Sequence, residues 1–154
     1  MIKKILSCFA AVFLFCSLFV PGIFAESAPK STVQMKPIEQ SEAYQEYLQK
    51  PKGNLGKLLF GLNYFRTAPV ILQYDGVEYS MAFAYPIGMA YLMTQYHDES
   101  PVKWIKKHCY RSPTANKIMY FKYPDGSFRV VRDVFIETLK TLEKVESQQP
   151  QNKK

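Results

Sequence analysis

Val70-Ile71-Leu72-Gln73-Tyr74-Asp75-Gly76-Val77-Glu78-Tyr79 decides how the rest of this chain is read. An aliphatic run meets Asp-Gly, and apolar side chains resume at once. A two-residue turn between paired strands needs positive φ at both positions, which Gly adopts freely and Asp tolerates, so the stretch predicts a β-hairpin.

Upstream, Pro69 closes a segment in which Leu55, Leu58, Leu59, Leu62 and Phe65 recur at helical spacing. They define one buried stripe of a helix capped by Asn54. Before it, Ser41 caps a short helix through about Gln49, which Pro51 and Gly53 stop. Downstream, Met81 to Tyr96 is almost wholly apolar or aromatic, with Pro86 early. A central helix is expected from Pro86 onward, buried on most sides and too short to cross a membrane. Ser100-Pro101 is an N-cap followed by proline at the first helical position, opening a helix through His108 or Tyr110 with Lys106, Lys107 and Arg111 near its negative end. Ile118 to Tyr123, Pro124-Asp125-Gly126 and Phe128 to Val131 form a second hairpin. A last helix from about Asp133 to Glu146 carries Val134, Phe135, Leu139, Leu142 and Val145 on one face. Helices and antiparallel hairpins without a parallel crossover define an α+β domain over residues 41–146.

The two ends read differently. Lys3 and Lys4 precede an apolar run from Ile5 to Val20, then Pro21-Gly22 and Ala25. That is the layout of a secretory signal peptide over residues 1–25, cut after Ala25, with a cut after Ala28 or retention as an anchor as the alternatives. Cys8 and Cys16 lack the small neighbours of a lipid-modified cysteine. Processing leaves Cys109 as the one thiol, so no internal disulfide holds the fold and its apolar core must. Residues 26–40 and 147–154 mix polar residues without apolar periodicity and read as solvated, disordered tails.

Leu58-Leu59, Leu62, Gln73-Tyr74-Asp75-Gly76, Tyr79, the Ala-rich apolar helix, Trp104-Ile105, Ser112, Tyr120, Asp125-Gly126, Leu139 and Leu142 together resemble the YfeK-like family of small exported proteins of Gram-negative bacteria. The resemblance spans about residues 53–145. Ala90-Tyr91-Leu92-Met93 stands where that family tends to a His-Leu pair and a following Lys. The family has no established activity, so the resemblance implies an exported domain and assigns no catalytic residue.

Two clusters could carry chemistry. His97-Asp98-Glu99 sets carboxylates beside an imidazole, as a general base requires. Sequence neighbours rarely face one another, and these sit between two helices, where the dipoles favour the same residue types. His108-Cys109 pairs a thiol with an imidazole, but adjacent helical residues diverge by about 100° and cannot form a dyad. A small cell-envelope hydrolase using His97, Asp98 or Cys109 is therefore the alternative reading. Residues 26–154 offer no zinc-ligand spacing and none of the GxSxG, HExxH, phosphate-loop or EF-hand patterns, so no metal or cofactor is expected.

Charge says more. Residues 26–154 carry 18 basic and 13 acidic side chains, and the excess lies wholly in 98–132, where Lys103, Lys106, Lys107, Arg111, Lys117, Lys122, Arg129 and Arg132 face only Asp98, Glu99 and Asp125. Clustered cations focus potential toward anionic partners. For an exported protein these are envelope polymers, lipid headgroups or acidic proteins; nucleic acid is not expected. Trp104, Tyr110, Tyr120 and Tyr123 interleave with the cations. The expected binding face is thus Trp104, Lys106, Lys107, Tyr110, Arg111, Tyr120, Lys122, Tyr123 and Arg129, on a non-enzymatic accessory domain.

Overall fold

A computed structural model describes residues 35–50 and 52–148. The leader, with its expected cut, and residues 149–154 lie outside them. Among the described residues five α-helices and two hairpins run in the order α1 (Glu42–Leu48), α2 (Asn54–Arg66), β1 (Ile71–Tyr74), β2 (Val77–Ser80), α3 (Met81–Gln95), α4 (Pro101–His108), β3 (Tyr120–Lys122), β4 (Phe128–Val130) and α5 (Val131–Gln148). The class is α+β, with no parallel strands among the described residues.

Both hairpins turn where their glycines stand. Asp75 (φ 54°) and Gly76 (φ 86°) make the two-residue turn between β1 and β2. Gly126, at φ 83°, ends the wider turn in which its N–H donates to the Tyr123 carbonyl at 2.9 Å. The hairpins join edge to edge through β1 and β3, giving one antiparallel sheet in the order β2-β1-β3-β4. Leu72 pairs with both Tyr79 and Phe121, and Ile71 with both Ser80 and Lys122. Alternation therefore sends Leu72, Tyr74 and Phe121 to one face and Ile71, Gln73, Tyr120, Lys122 and Phe128 to the other.

The first face is covered by α2 and α5. Phe65 stacks on Phe121 at 4.9 Å and meets Phe135 at 4.7 Å, so one ring from each of α2, β3 and α5 closes the centre of the core. A Cβ on Gly61 would lie 3.2 Å from the Phe135 ring, so the lack of a side chain sets how closely α2 and α5 cross. Tyr44, Tyr47, Phe60, Leu142 and Val145 form a second cluster where α1 lies on α2 and the end of α5. A polar seam ties three helices: Tyr85 donates to Asn63 at 2.6 Å, and Asn63 donates to Glu46 at 2.9 Å.

Four expectations need correction. Gly53, not Asn54, caps α2, whose burial extends beyond one stripe to Phe60 and Asn63. The solvated stretch expected to reach Gln40 ends sooner: Ile38 starts a 3-10 turn and is buried against α1, and the Tyr64 hydroxyl donates to the Lys36 carbonyl at 2.6 Å. The last helix begins at Val131, directly off β4, and reaches Gln148. The largest change concerns α3. It begins at Met81, where the Ser80 hydroxyl accepts from the Phe83 N–H at 3.3 Å, so Pro86 sits inside the helix. Only Met81 and Leu92 are buried, while Phe83, Ile87 and Met93 are 56%, 57% and 59% exposed. A helix apolar all round reads as a core helix, but here α2 covers one side, with Leu62 packed at Gly88, and the opposite side faces outward. Among the described residues no helix is long and apolar enough to cross a membrane.

Candidate functional site

The cationic region begins on α4. Ser100 accepts from the Lys103 N–H at 3.4 Å and Pro101 occupies the first turn, as a helix start demands. The short helix then buries Trp104 and Ile105, which leaves Lys103, Lys106 and Lys107 on its open side. After His108 the chain turns through Tyr110 and Arg111. Arg111 bridges to Ile118, and the residues between them close a loop in which the Ser112 N–H donates to the Lys117 carbonyl at 2.9 Å.

That loop is pinned by Asp75 of the first hairpin turn, whose carboxylate accepts hydrogen bonds from the hydroxyls of Ser112 and Thr114. These donors, joined by the Lys117 charge, hold the Asp75 carboxyl below its ordinary range. Asp75 thus makes the turn and fixes the loop carrying Arg111 and Lys117, a role the Asp-Gly signal did not reveal.

Two guanidinium groups approach the Tyr110 ring, Arg132 at 4.2 Å and Arg111 at 5.2 Å from its centroid. Arg111 also donates to the Asn116 carbonyl at 2.7 Å. Arg132 comes from α5 and carries no local signal that would place it on Tyr110.

The nine expected residues do not form one surface. Lys106, Lys107, Tyr110 and Arg111 lie together at the end of α4 and the loop after it, joined by Arg132. Tyr120 and Lys122 instead lie on the outer face of the sheet, where Lys122 pairs with Glu78 at 2.7 Å and Tyr120 meets Phe128 edge to face. Arg129 is spent on Glu137 at 2.7 Å. Tyr123 is half-buried against the core, where burial raises the pKa of its hydroxyl. Trp104 is only 4% exposed and stacks on His108 at 4.8 Å, so it belongs to the packing.

Pairing sorts the cations. Among the described residues Lys103, Lys106, Lys107, Arg111 and Lys117 have no carboxylate within salt-bridge reach, whereas Lys122, Arg129 and Arg132 each hold one.

His97, Asp98 and Cys109 do not share the lining of either described cavity. Cys109 is a free, buried thiol whose pKa burial pushes up to about 12, so it keeps its proton at neutral pH. His108 lies 3.0 Å from the Tyr91 hydroxyl through Nδ1, and burial with the nearby Lys107 charge lowers its pKa. Asp98 lines a cavity of about 430 Å³ with Tyr47, Leu55, Leu59 and Phe60, but neither His97 nor Cys109 reaches it. Among the described residues no three of His, Cys, Asp and Glu gather where a metal ion could sit. Comparison with family models, curated proteins and solved structures gave no match.

Proposed function

We propose that this chain is an exported, non-enzymatic binding domain that contacts an anionic partner in the cell envelope through the end of α4 and the 110–118 loop. Kinship with the YfeK-like exported proteins is part of the proposal and rests on Gln73-Tyr74-Asp75-Gly76, Trp104-Ile105, Ser112 and Asp125-Gly126. One observation carries the reading: four cations close in sequence, Lys103, Lys106, Lys107 and Arg111, have no carboxylate partner among the described residues, beside others of the same segment that do. A paired lysine presents little net field, whereas unpaired ones add their potentials and draw anions toward the surface.

The test is retention on immobilised polyglutamate. K106Q/K107Q/R111Q should bind roughly tenfold or more weakly at about 0.1 M salt, with an unchanged melting temperature, and added salt should release the parent protein. Retention that ignores both the triple substitution and the salt overturns the proposal.

A further inference from the structure

The cavity of about 430 Å³ between the end of α1 and the start of α2 shares no residue with the cationic site. Its volume lies within the range of small-molecule sites, about 300–1,000 Å³. Ala43, Tyr47, Phe60 and Asn63 line it and are all buried, while Leu55, Leu59 and Tyr96 are half-buried along its sides. Lys50, Lys52, Asn54 and Asp98 complete the lining and are exposed, so they mark its mouth.

The polar side chains of the deeper lining are already committed within the protein. The Tyr47 hydroxyl donates to Glu146 at 2.9 Å, and the Tyr96 hydroxyl donates to Asp98 at 3.2 Å. Asn63 accepts from Tyr85 at 2.6 Å and donates to Glu46 at 2.9 Å. A molecule that enters therefore meets rings, leucine methyls and Ala43, surfaces that favour hydrocarbon over polar groups.

Charge does not choose the occupant. Lys50 and Lys52 stand at the mouth with Asp98, and Lys52 lies 3.8 Å from Glu146, so both signs are present there. The site can discriminate apolar bulk, not the sign of a headgroup.

The chain also leaves the space open where it could fill it. Gly53 lines the cavity with extended backbone, φ −160°, a conformation any residue adopts, and a Cβ built on it meets nothing within 4 Å. Neither backbone nor packing demands glycine at that position.

We propose that this cavity holds the hydrocarbon chain of a small amphiphile, the chain lying against Leu55, Leu59 and Phe60 and the polar end at the mouth. The site is separate from the anionic-partner face, and neither proposal depends on the other.

The test titrates the exported protein with hexanol, octanol and decanol, and with decanoate as the anionic counterpart of decanol. Affinity should rise with chain length, roughly fourfold for each methylene that still finds wall to cover. Decanol and decanoate should bind within about fivefold of each other, because charges at an exposed mouth contribute little. Gly53→Phe sets a ring in the open space and should weaken decanol binding roughly tenfold or more at an unchanged melting temperature. F83S/I87S, on the open side of α3, should leave it unchanged. Amide chemical shifts of the parent protein should respond to decanol within residues 43–63 and 96–98. If Gly53→Phe lowers the melting temperature, that shift map decides. The proposal is overturned if no alkanol binds, if a stably folded Gly53→Phe binds decanol as the parent does, or if F83S/I87S abolishes binding. Shifts that centre on residues 79–93 overturn it too, as does binding confined to decanoate and released by salt, which would make charge the determinant.

Discussion

Ser112 ties two distant parts of the chain with one hydroxyl. It donates to Asp75 and accepts from the N–H groups of Ala115 and Lys117, each at 3.3 Å, while itself only 3% exposed. Ser112→Ala leaves those backbone donors and the carboxylate short of a partner, at a cost of about 1–3 kcal/mol measurable by denaturant titration. Asp75 adds a pH dependence. Its folded-state pKa is depressed, so its contribution is complete above the unfolded value near 4 and is lost as pH falls through the lower folded value. Asp75→Asn should flatten the acid limb of a stability-against-pH curve, and an unaltered limb would contradict the tie. At Cys109 the expected result is protection: the folded thiol should resist a disulfide reagent at pH 8 and react on unfolding, because burial holds it protonated. Much at this scale was illegible in the sequence. Asp75-Gly76 announced a turn, but its grip on Ser112 spans 37 positions and leaves no local pattern.

Elements were legible where punctuation is local. Asp75-Gly76 and Asp125-Gly126 located both hairpins, and Ser100-Pro101 set the start of α4, because those residues favour particular backbone angles wherever the chain goes. The joining of the hairpins through β1 and β3 was not legible, since the pairing of Leu72 with Phe121 is decided by what their shared face covers. For α3, a uniformly apolar composition cannot distinguish a helix buried on every side from one left half open. Its first turns also ran against the proline signal: Ser80 caps the helix at Met81, and Pro86 is accommodated inside it. Pro86→Ala restores an N–H within reach of the exposed Ala82 residue's carbonyl and should stabilise the protein by about 1–3 kcal/mol in thermal unfolding. A lowered melting temperature would mean that the proline ring itself is needed there.

For the molecule as a whole, the basic excess of residues 98–132 was readable by counting, but its state was not. Trp104 turned into the core and Lys122 and Arg129 found Glu78 and Glu137, partners supplied by β2 and α5. What remains unpaired gathers around α4 and the loop that Asp75 holds. The most direct measurement compares two variants with equal loss of charge, K106Q/K107Q and K122Q/R129Q, on polyglutamate at about 0.1 M salt, where charges beyond about 10 Å are largely screened. K106Q/K107Q should lose most of the binding and K122Q/R129Q little. Equal losses, or a greater loss from K122Q/R129Q, would contradict the proposed site.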